Sequence, residues 1–215
     1  GIRDYKVTGV QTCALPIYVQ RVQGQALAEA GVALAVHRLL EGDDSEESEE
    51  SAMSVDGTAH TLAVHGEEVT VRVFAETGRI DLNRSPRELL ESLATAASAE
   101  RPDVVAIRIM DWRDKDGASR LDGAEDADYK AAGRAYGAAD VPFRTTSELH
   151  QILGISPEVA RAMQRLSTVY NRGGRIDAEA ATESVLRALP GVTDAEIEQF
   201  METRDISVQI GRAHV

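Results

Sequence analysis

Apolar positions follow three rhythms along this chain. From Tyr18 to Glu41 they recur at spacings of three and four, through Val19, Val22, Ala26, Ala33, Val36 and Leu40, broken only at Glu29. That period predicts one amphipathic helix packing this stripe on a sheet. Frequent Ala favours the helix, and Gly24 and Gly31 weaken it. From Val55 to Ala75 the period drops to two: Leu62 and Val64 alternate with Ala63 and His65, and Val69, Val71 and Val73 with Thr70, Arg72 and Phe74. Two antiparallel strands are expected, with Gly66 and Glu67 at the hairpin turn. Beyond Arg79 the chain turns mostly helical. Ser85 reads as a helix cap, with Pro86 in the first turn, Glu88 three residues on, and Leu89, Leu90 and Leu93 as the apolar face. Val104, Val105, Ile107 and Ile109 form another apolar segment. A further helix is expected from Thr146 or Ser147, burying Leu149, Ile152 and Leu153.

Two internal echoes organise this second half. Gly78-Arg79-Ile80-Asp81 recurs as Gly174-Arg175-Ile176-Asp177, and each copy precedes a helix, with Leu89, Leu90 and Leu93 matched by Val185, Leu186 and Leu189. Ile152-Leu153-Gly154-Ile155-Ser156 and Leu189-Pro190-Gly191-Val192-Thr193 both read as helix-hairpin-helix turns. The glycine permits the tight turn, and the residue after it, Ile155 or Val192, is expected to plug the core. Between the first helix and the strands, Asp43, Asp44, Glu46, Glu47, Glu49 and Glu50 form an acidic linker that cannot bury itself.

Both ends change how much of the chain enters fold reasoning. Val7 to Ile17, VTGVQTCALPI, is what translation of a common short-read sequencing adapter yields. Gly1 to Asp4 fits the same adapter upstream, and Ile210 to Val215, IGRAHV, fits the adapter at the other end. Residues 1–17 and 210–215 are therefore expected to be read-through and are set aside. Cys13, the only cysteine, goes with them, so no disulfide or thiolate site is expected. The excluded ends carry Arg3, Lys6 and Arg212 against Asp4, a net of +2; the whole chain stands at −13, leaving −15 on the rest. Such an acidic balance disfavours wrapping nucleic acid or resting on anionic lipid. No apolar run approaches the roughly 20 residues needed to span a bilayer.

The densest chemistry lies in Asp111 to Asp128, DWRDKDGASRLDGAEDAD, with seven carboxylates (Asp111, Asp114, Asp116, Asp122, Glu125, Asp126 and Asp128), two glycines and the single Trp. Unscreened, such a cluster repels itself. Asp114 to Gly117 is similar to the middle of an EF-hand loop, but in that register the first ligand position is Trp112 and the last Gly123, so an EF-hand is excluded. Two readings stay open. One is a non-EF calcium loop using Asp114, Asp116, Glu125, Asp126 and Asp128; the other is a solvated acidic loop. Asp111 is a candidate tether for a helix end, Trp112 a core anchor, and Asp122 is expected to be solvated. His37 and His150 have no nucleophile and acid around them, and His60 and His65 no visible partner, so an enzyme is not expected. The helix-hairpin-helix turns are expected to join helices rather than hold phosphate. Ser156 and Thr193 stand where DNA-binding versions carry a second glycine, and Glu158, Asp194, Glu196 and Glu198 repel a phosphate backbone.

Taken together, VRVFAETGRIDLNRSPRELLESL, IMDWRDKDG, GAEDADY, VPFRTTSELHQILGI and STVYNRGGRIDAEAATESVLRALPGV resemble, in order over most of residues 18–205, the type II secretion minor pseudopilin family GspK. The resemblance implies an α+β fold, with a pseudopilin-type N-terminal helix packed on a small antiparallel sheet. It also implies a large inserted all-α domain with helix-hairpin-helix-like units. On it the chain divides into 18–83, helix, linker and strands; 84–170, the inserted helical domain with loop 111–128; and 171–209, the second helix-hairpin-helix-like unit and the start of a C-terminal strand region. It further implies a non-enzymatic protein at the pseudopilus tip, bound to the I and J minor pseudopilins and helping to start assembly for protein export across the outer membrane. Its place would be the Gram-negative inner membrane, single pass, anchored by an N-terminal helix missing here, with the soluble part in the periplasm and no nucleic acid partner. Calcium would be held by Asp114, Asp116, Glu125, Asp126 and Asp128. The competing expectation is a helix-hairpin-helix nucleic-acid-binding protein of competence type. A calcium-stabilised surface or adhesion module is a third.

Overall fold

The computed structural model of the chain describes residues 14–41 and 53–213; the acidic run Asp43 to Glu50 lies outside them. The chain divides into two compact units, Gly1–Val73 and Phe74–Val215.

In the first unit, α1 (Ala14–Glu41) accompanies a two-stranded sheet of β1 (Asp56–Val64) and β2 (Glu67–Phe74). The hairpin turn is His65-Gly66, one residue earlier than expected. Both residues take positive φ, 51° and 87°, which is the two-residue turn whose twist matches that of paired strands. Leu62 and Val64 are buried as the alternation predicts. His60 is partnered after all: its Nε2 accepts from the Ser54 amide at 3.1 Å.

The buried face of α1 is not the expected stripe. Gly31 and Ala35 are buried, and Leu27, Ala30, Leu34 and Arg38 are half-buried. Val22, Val36 and Leu40 remain 50%, 48% and 80% exposed. A Cβ on Gly31 would fall 2.6 Å from Cγ1 of Val69. Close approach to the hairpin thus selects the small residues, and the bulkier valines are left outside.

The second unit is built on one contiguous core reaching from Ile80 to Ile197. Its elements are β3 (Ile80–Asp81), α2 (Arg87–Ala96), α3 (Pro102–Arg113), α4 (Asp126–Ala131), a 3-10 turn Thr146–Gln151, α5 (Pro157–Leu166), β4 (Ser167–Thr168), α6 (Glu183–Leu186) and α7 (Asp194–Ala213). The division falls at Val73 rather than after residue 83, because Ile80 and Leu82 are fully buried in this core and β3 pairs in parallel with β4, Ile80 beside Ser167 and Asp81 beside Thr168. The β-branched run Val104 to Ile109 is helical, since Val105, Ala106, Ile107, Ile109 and Trp112 bury more than one face of α3. Burial here overrides weak helix propensity.

The two echoes meet. The amide of Asp177 donates to the carbonyl of Thr77 at 2.9 Å, and Asn171 Nδ2 donates to the carbonyls of Thr77, Arg79 and Arg175. A Cβ on Gly78 would lie 2.3 Å from the Ala180 carbonyl oxygen, so this contact requires glycine. Asp81 and Asp177 play the same part in each copy: Oδ1 accepts backbone amides two residues on, from Asn83 at 2.7 Å and Glu179 at 3.1 Å.

Three local expectations shift. Ser85 does not cap α2; Pro86 occupies the N-cap, while the Ser85 carbonyl is held by Arg113 Nη2 at 2.8 Å and its amide by the Asp81 carbonyl at 3.0 Å. Ile155 plugs the core at 8% exposure but Val192 is 41% exposed, although Gly154 and Gly191 both take the left-handed turn, at φ 76° and 78°. Residues 194–213 form the helix α7 where a C-terminal strand region was expected to begin. Asp194 and Glu196 suit its N-terminus, and no Pro or Gly interrupts 194–210.

Candidate functional site: the acidic loop between two helices

The acidic stretch is only partly a loop. Asp111, Trp112 and Arg113 are the last turn of α3, Asp114 is its C-cap, and Asp126 to Asp128 open α4. Between the two helices the chain crosses Lys115 to Ala124.

Each residue of the Asp-Trp-Arg-Asp turn fixes something. Asp111 is fully buried and tethers the loop: its Oδ2 accepts from the Ala124 amide at 3.0 Å and the Arg120 amide at 3.4 Å, and its Oδ1 from Arg120 Nη1. A Cβ on Gly123 would strike that Oδ2 at 1.9 Å. Trp112 is the expected anchor. Its Nε1 donates to Glu148 Oε2 at 3.2 Å, and its ring lies 5.8 Å from Tyr129 and 6.5 Å from both Tyr136 and Phe143. The half-buried Arg113 guanidinium donates to the carbonyls of Leu82 and Ser85. Asn83 exchanges two bonds with the Phe143 backbone, at 2.7 and 3.0 Å, drawing residues 140–143 toward the same end of the unit.

The five expected ligands separate. Asp114 and Glu125 face a common region, with Asp116 near enough to repel Glu125. Asp116 Oδ1 accepts from the Ala118 amide at 3.0 Å. Asp128 Oδ2 is taken by the Glu125 amide at 2.9 Å within a capping box, and Asp126 lies against Gly137. Asp122 is exposed, as expected. Two residues join that the spacing does not reveal, Arg120 and Asp140. Asp140 follows Asp128 across a segment with no acidic pattern, and only the fold brings it close.

Three buried carboxylate oxygens here have no hydrogen-bond partner: Asp114 Oδ1, Glu125 Oε1 and Asp140 Oδ1. Glu125 is 5% exposed. Burial first, then repulsion from Asp111, Asp114, Asp140 and Asp116, pushes its carboxyl up to about 7. Orphaned carboxylate oxygens at the same loop suit a hard cation, which prefers several oxygen ligands in a flexible loop. Among the described residues, no three carboxylate or imidazole groups converge closely enough to hold a metal as they stand. Ligation would therefore require the three to draw together.

The helix-hairpin-helix-like turn at Gly154 borders a cleft of about 450 Å³ lined in part by Arg101, Arg108, Asp122 and Ser156. Its cations are engaged. Arg101 pairs with Asp103 at 2.9 Å, and Arg108 donates to the carbonyls of Leu153 at 2.7 Å and Asp122 at 3.3 Å. His150 meets Gln164 at 3.3 Å.

A long helix with a small antiparallel sheet, followed by a mostly helical unit, is an α+β architecture. The chain is similar in fold to a chain in the crystal structure of the GspK-GspI-GspJ complex from the enterotoxigenic Escherichia coli type 2 secretion system, with 17% identity, TM-score 0.56, and coverage of 83% of this chain and 68% of that one. Residues 78–172 match the family model for protein K of the type II secretion system. No curated protein sequence matches the chain. No helix among the described residues is long and apolar enough to cross a membrane. The matched segment contains the GRIDLN, DWRD, GAED and TVY residues whose contacts pin the acidic loop and the β3–β4 pair.

Proposed function

We propose that this protein sits at the tip of a type II secretion pseudopilus and helps to start its assembly with I- and J-type minor pseudopilins. One observation carries the reading: the regular apolar stripe Val19, Val22, Ala26, Ala33, Val36 and Leu40 is left exposed while the opposite side of α1 meets the hairpin. A helix that buries one side at home and keeps a second apolar side free is suited to packing in a bundle of like helices. The unit 74–215 would be the inserted domain, forming the bulky end that blocks further addition. The helix-hairpin-helix-like turns join helices. The engaged arginines beside Gly154, and Asp194 and Glu196 beside Gly191, favour this over the competence-type nucleic-acid reading, which predicts a salt-sensitive micromolar DNA affinity. The protein would act at the inner membrane, with its soluble part in the periplasm.

Calcium is the second part of the proposal. Asp114, Glu125 and the newly placed Asp140 are the favoured ligands, with Asp116 at the rim. Asp126 and Asp128 serve the helix start. A bound ion would neutralise the cluster and stiffen the loop. Co-expression of the membrane-trimmed intact protein with its I and J partners tests the assembly reading: a stable ternary complex is expected, and its absence overturns it. Calcium should raise Tm and chelation lower it, and D114N with E125Q should remove the effect. An unchanged Tm in the unsubstituted chain overturns the calcium reading.

A further inference from the structure

We propose that the turn from Tyr170 to Arg175, with Arg84 and Arg79 beside it, is a docking surface for an acidic segment of a partner protein. The inference goes beyond the pseudopilus and calcium readings and depends on neither.

Local chemistry builds this surface within the unit 74–215. Arg79 and Arg175 hold the equivalent positions of the two echoes. The buried Asn171 draws their backbones together, donating from Nδ2 to the Arg79 carbonyl at 3.4 Å and the Arg175 carbonyl at 2.8 Å. The Gly174 amide donates to the Asn171 carbonyl at 3.0 Å, and Gly174 takes φ 66°. A Cβ on Gly174 would lie 3.3 Å from Cβ of Arg84, so the stem of Arg84 lies against the turn. The Arg172 amide donates to the Tyr170 carbonyl at 2.9 Å, and Tyr170 is left 65% exposed. Arg79 sits over the Phe74 ring, 5.0 Å from its centroid.

The exposed cations of this turn lack internal partners. Elsewhere in the unit, Arg87, Arg101, Arg161 and Arg187 are each paired with a carboxylate close by in sequence. Arg84, Arg172 and Arg175 are exposed as well, yet they form no ion pair and no side-chain hydrogen bond among the described residues. The acids of the echoes are turned elsewhere: Asp81 and Asp177 accept the amides of Asn83 and Glu179 on Oδ1. In a chain carrying −13, three unpaired guanidiniums about one turn are a local reversal of sign. Guanidinium forks match carboxylates bidentately, and Arg beside an exposed aromatic is the composition of protein contact surfaces. A short acidic segment feels chiefly the charges within a Debye length of about 8 Å. Duplex DNA or an anionic bilayer spreads its charge far wider and meets the whole acidic chain. The charge pattern therefore favours an acidic protein segment over either.

The test is fluorescence anisotropy of a labelled hexaglutamate peptide titrated with the whole chain at low salt. Saturable binding is expected, weakening as salt rises. Arg172→Glu with Arg175→Glu should weaken it about 10-fold, the scale of losing two exposed ion pairs. Arg172→Gln with Arg175→Gln should weaken it by less, and serves if the double reversal does not fold. Lys130→Glu with Arg134→Glu makes the same change of net charge at exposed positions on α4 and just after it, and should leave the affinity unchanged. No binding by the parent chain, or equal losses from the two double reversals, overturns the proposal. Phosphatidylglycerol vesicles and duplex DNA, titrated separately, should bind more weakly than hexaglutamate. Tighter binding of either one, lost in Arg172→Glu with Arg175→Glu, overturns the acidic-protein reading in favour of a lipid or nucleic-acid surface.

Discussion

In the unit from Phe74 onward, a single core links β3, the helices and both sequence echoes, and Tyr129, Leu90, Leu93 and Met163 in it are fully buried. In the unit before it, the buried hydrophobic side chains among the described residues are Ala35, Leu62 and Val64, and seven large apolar residues from Ile17 to Leu39 stay at least 40% exposed. The first kind of unit closes on itself. The second offers a surface. A two-stranded hairpin is marginal alone and needs a helix against it, yet α1 spends only its small-residue side on that task. The helical unit keeps its own unmet demand elsewhere, as carboxylate oxygens without partners in the acidic loop.

Substitutions should separate these two kinds of demand. Trp112→Ala removes the centre of the aromatic cluster and should destabilise the helical unit by about 3–5 kcal/mol in denaturant titrations; a loss below about 1 kcal/mol would break the picture of a closed core. The orphaned carboxylates predict an unusual pH dependence. Because the folded Glu125 carboxyl lies near 7 rather than 4.5, the folded metal-free chain binds a proton that the unfolded chain has released. Its contribution should therefore worsen as pH rises from about 4.5 to about 7, by up to about 3 kcal/mol. E125Q should flatten that slope, and a slope unchanged by E125Q would show that the cluster is solvated.

Gly78→Ala pushes a methyl into the Ala180 carbonyl and should cost about 1–3 kcal/mol, seen as a lowered denaturation midpoint with unchanged slope. Gly31→Ala makes the corresponding collision with Val69 and should cost about 1 kcal/mol. Its mark is faster hydrogen exchange in β1 and β2 with α3 and α5 unaffected. The smallest stability effect is the most informative about function. Val22→Glu with Val36→Glu should change stability by no more than about 0.5 kcal/mol, since both are exposed, yet abolish co-purification with the proposed I- and J-type partners. A retained complex would mean that the stripe is ordinary surface.

Much of the helical unit was legible because its signals are local. An Asx turn needs Asp81 or Asp177 two residues before its amide donor, and a tight turn needs Gly154 or Gly191 at positive φ. Trp112 reads as an anchor because it is the only aromatic side chain in the run of carboxylates from Asp111 to Asp128. The acidic loop was visible as a cluster and as a candidate cation loop, but which carboxylates face one another was not. Asp126 and Asp128 match a ligand spacing, yet Asp128 is engaged by the start of the helix they open and Asp126 lies against Gly137, while Asp140 and Arg120 enter through the fold rather than through any spacing. Val192 shows the same limit: its turn repeats that of Ile155, but its exposure depends on what the rest of the fold places above it.

The sequence by itself determined the periodicities, the turn glycines, the paired echoes and the excess of negative charge, since each follows from a residue's chemistry and its near neighbours. Only the tertiary structure decided which side of α1 is covered, because two faces compete for one hairpin and the closer backbone approach wins. It alone decided which carboxylates share a region, because repulsion and desolvation depend on distances in space. What it leaves in view is a helix with its bulkier stripe open and a loop in which Asp114, Glu125 and Asp140 each keep a carboxylate oxygen without a partner.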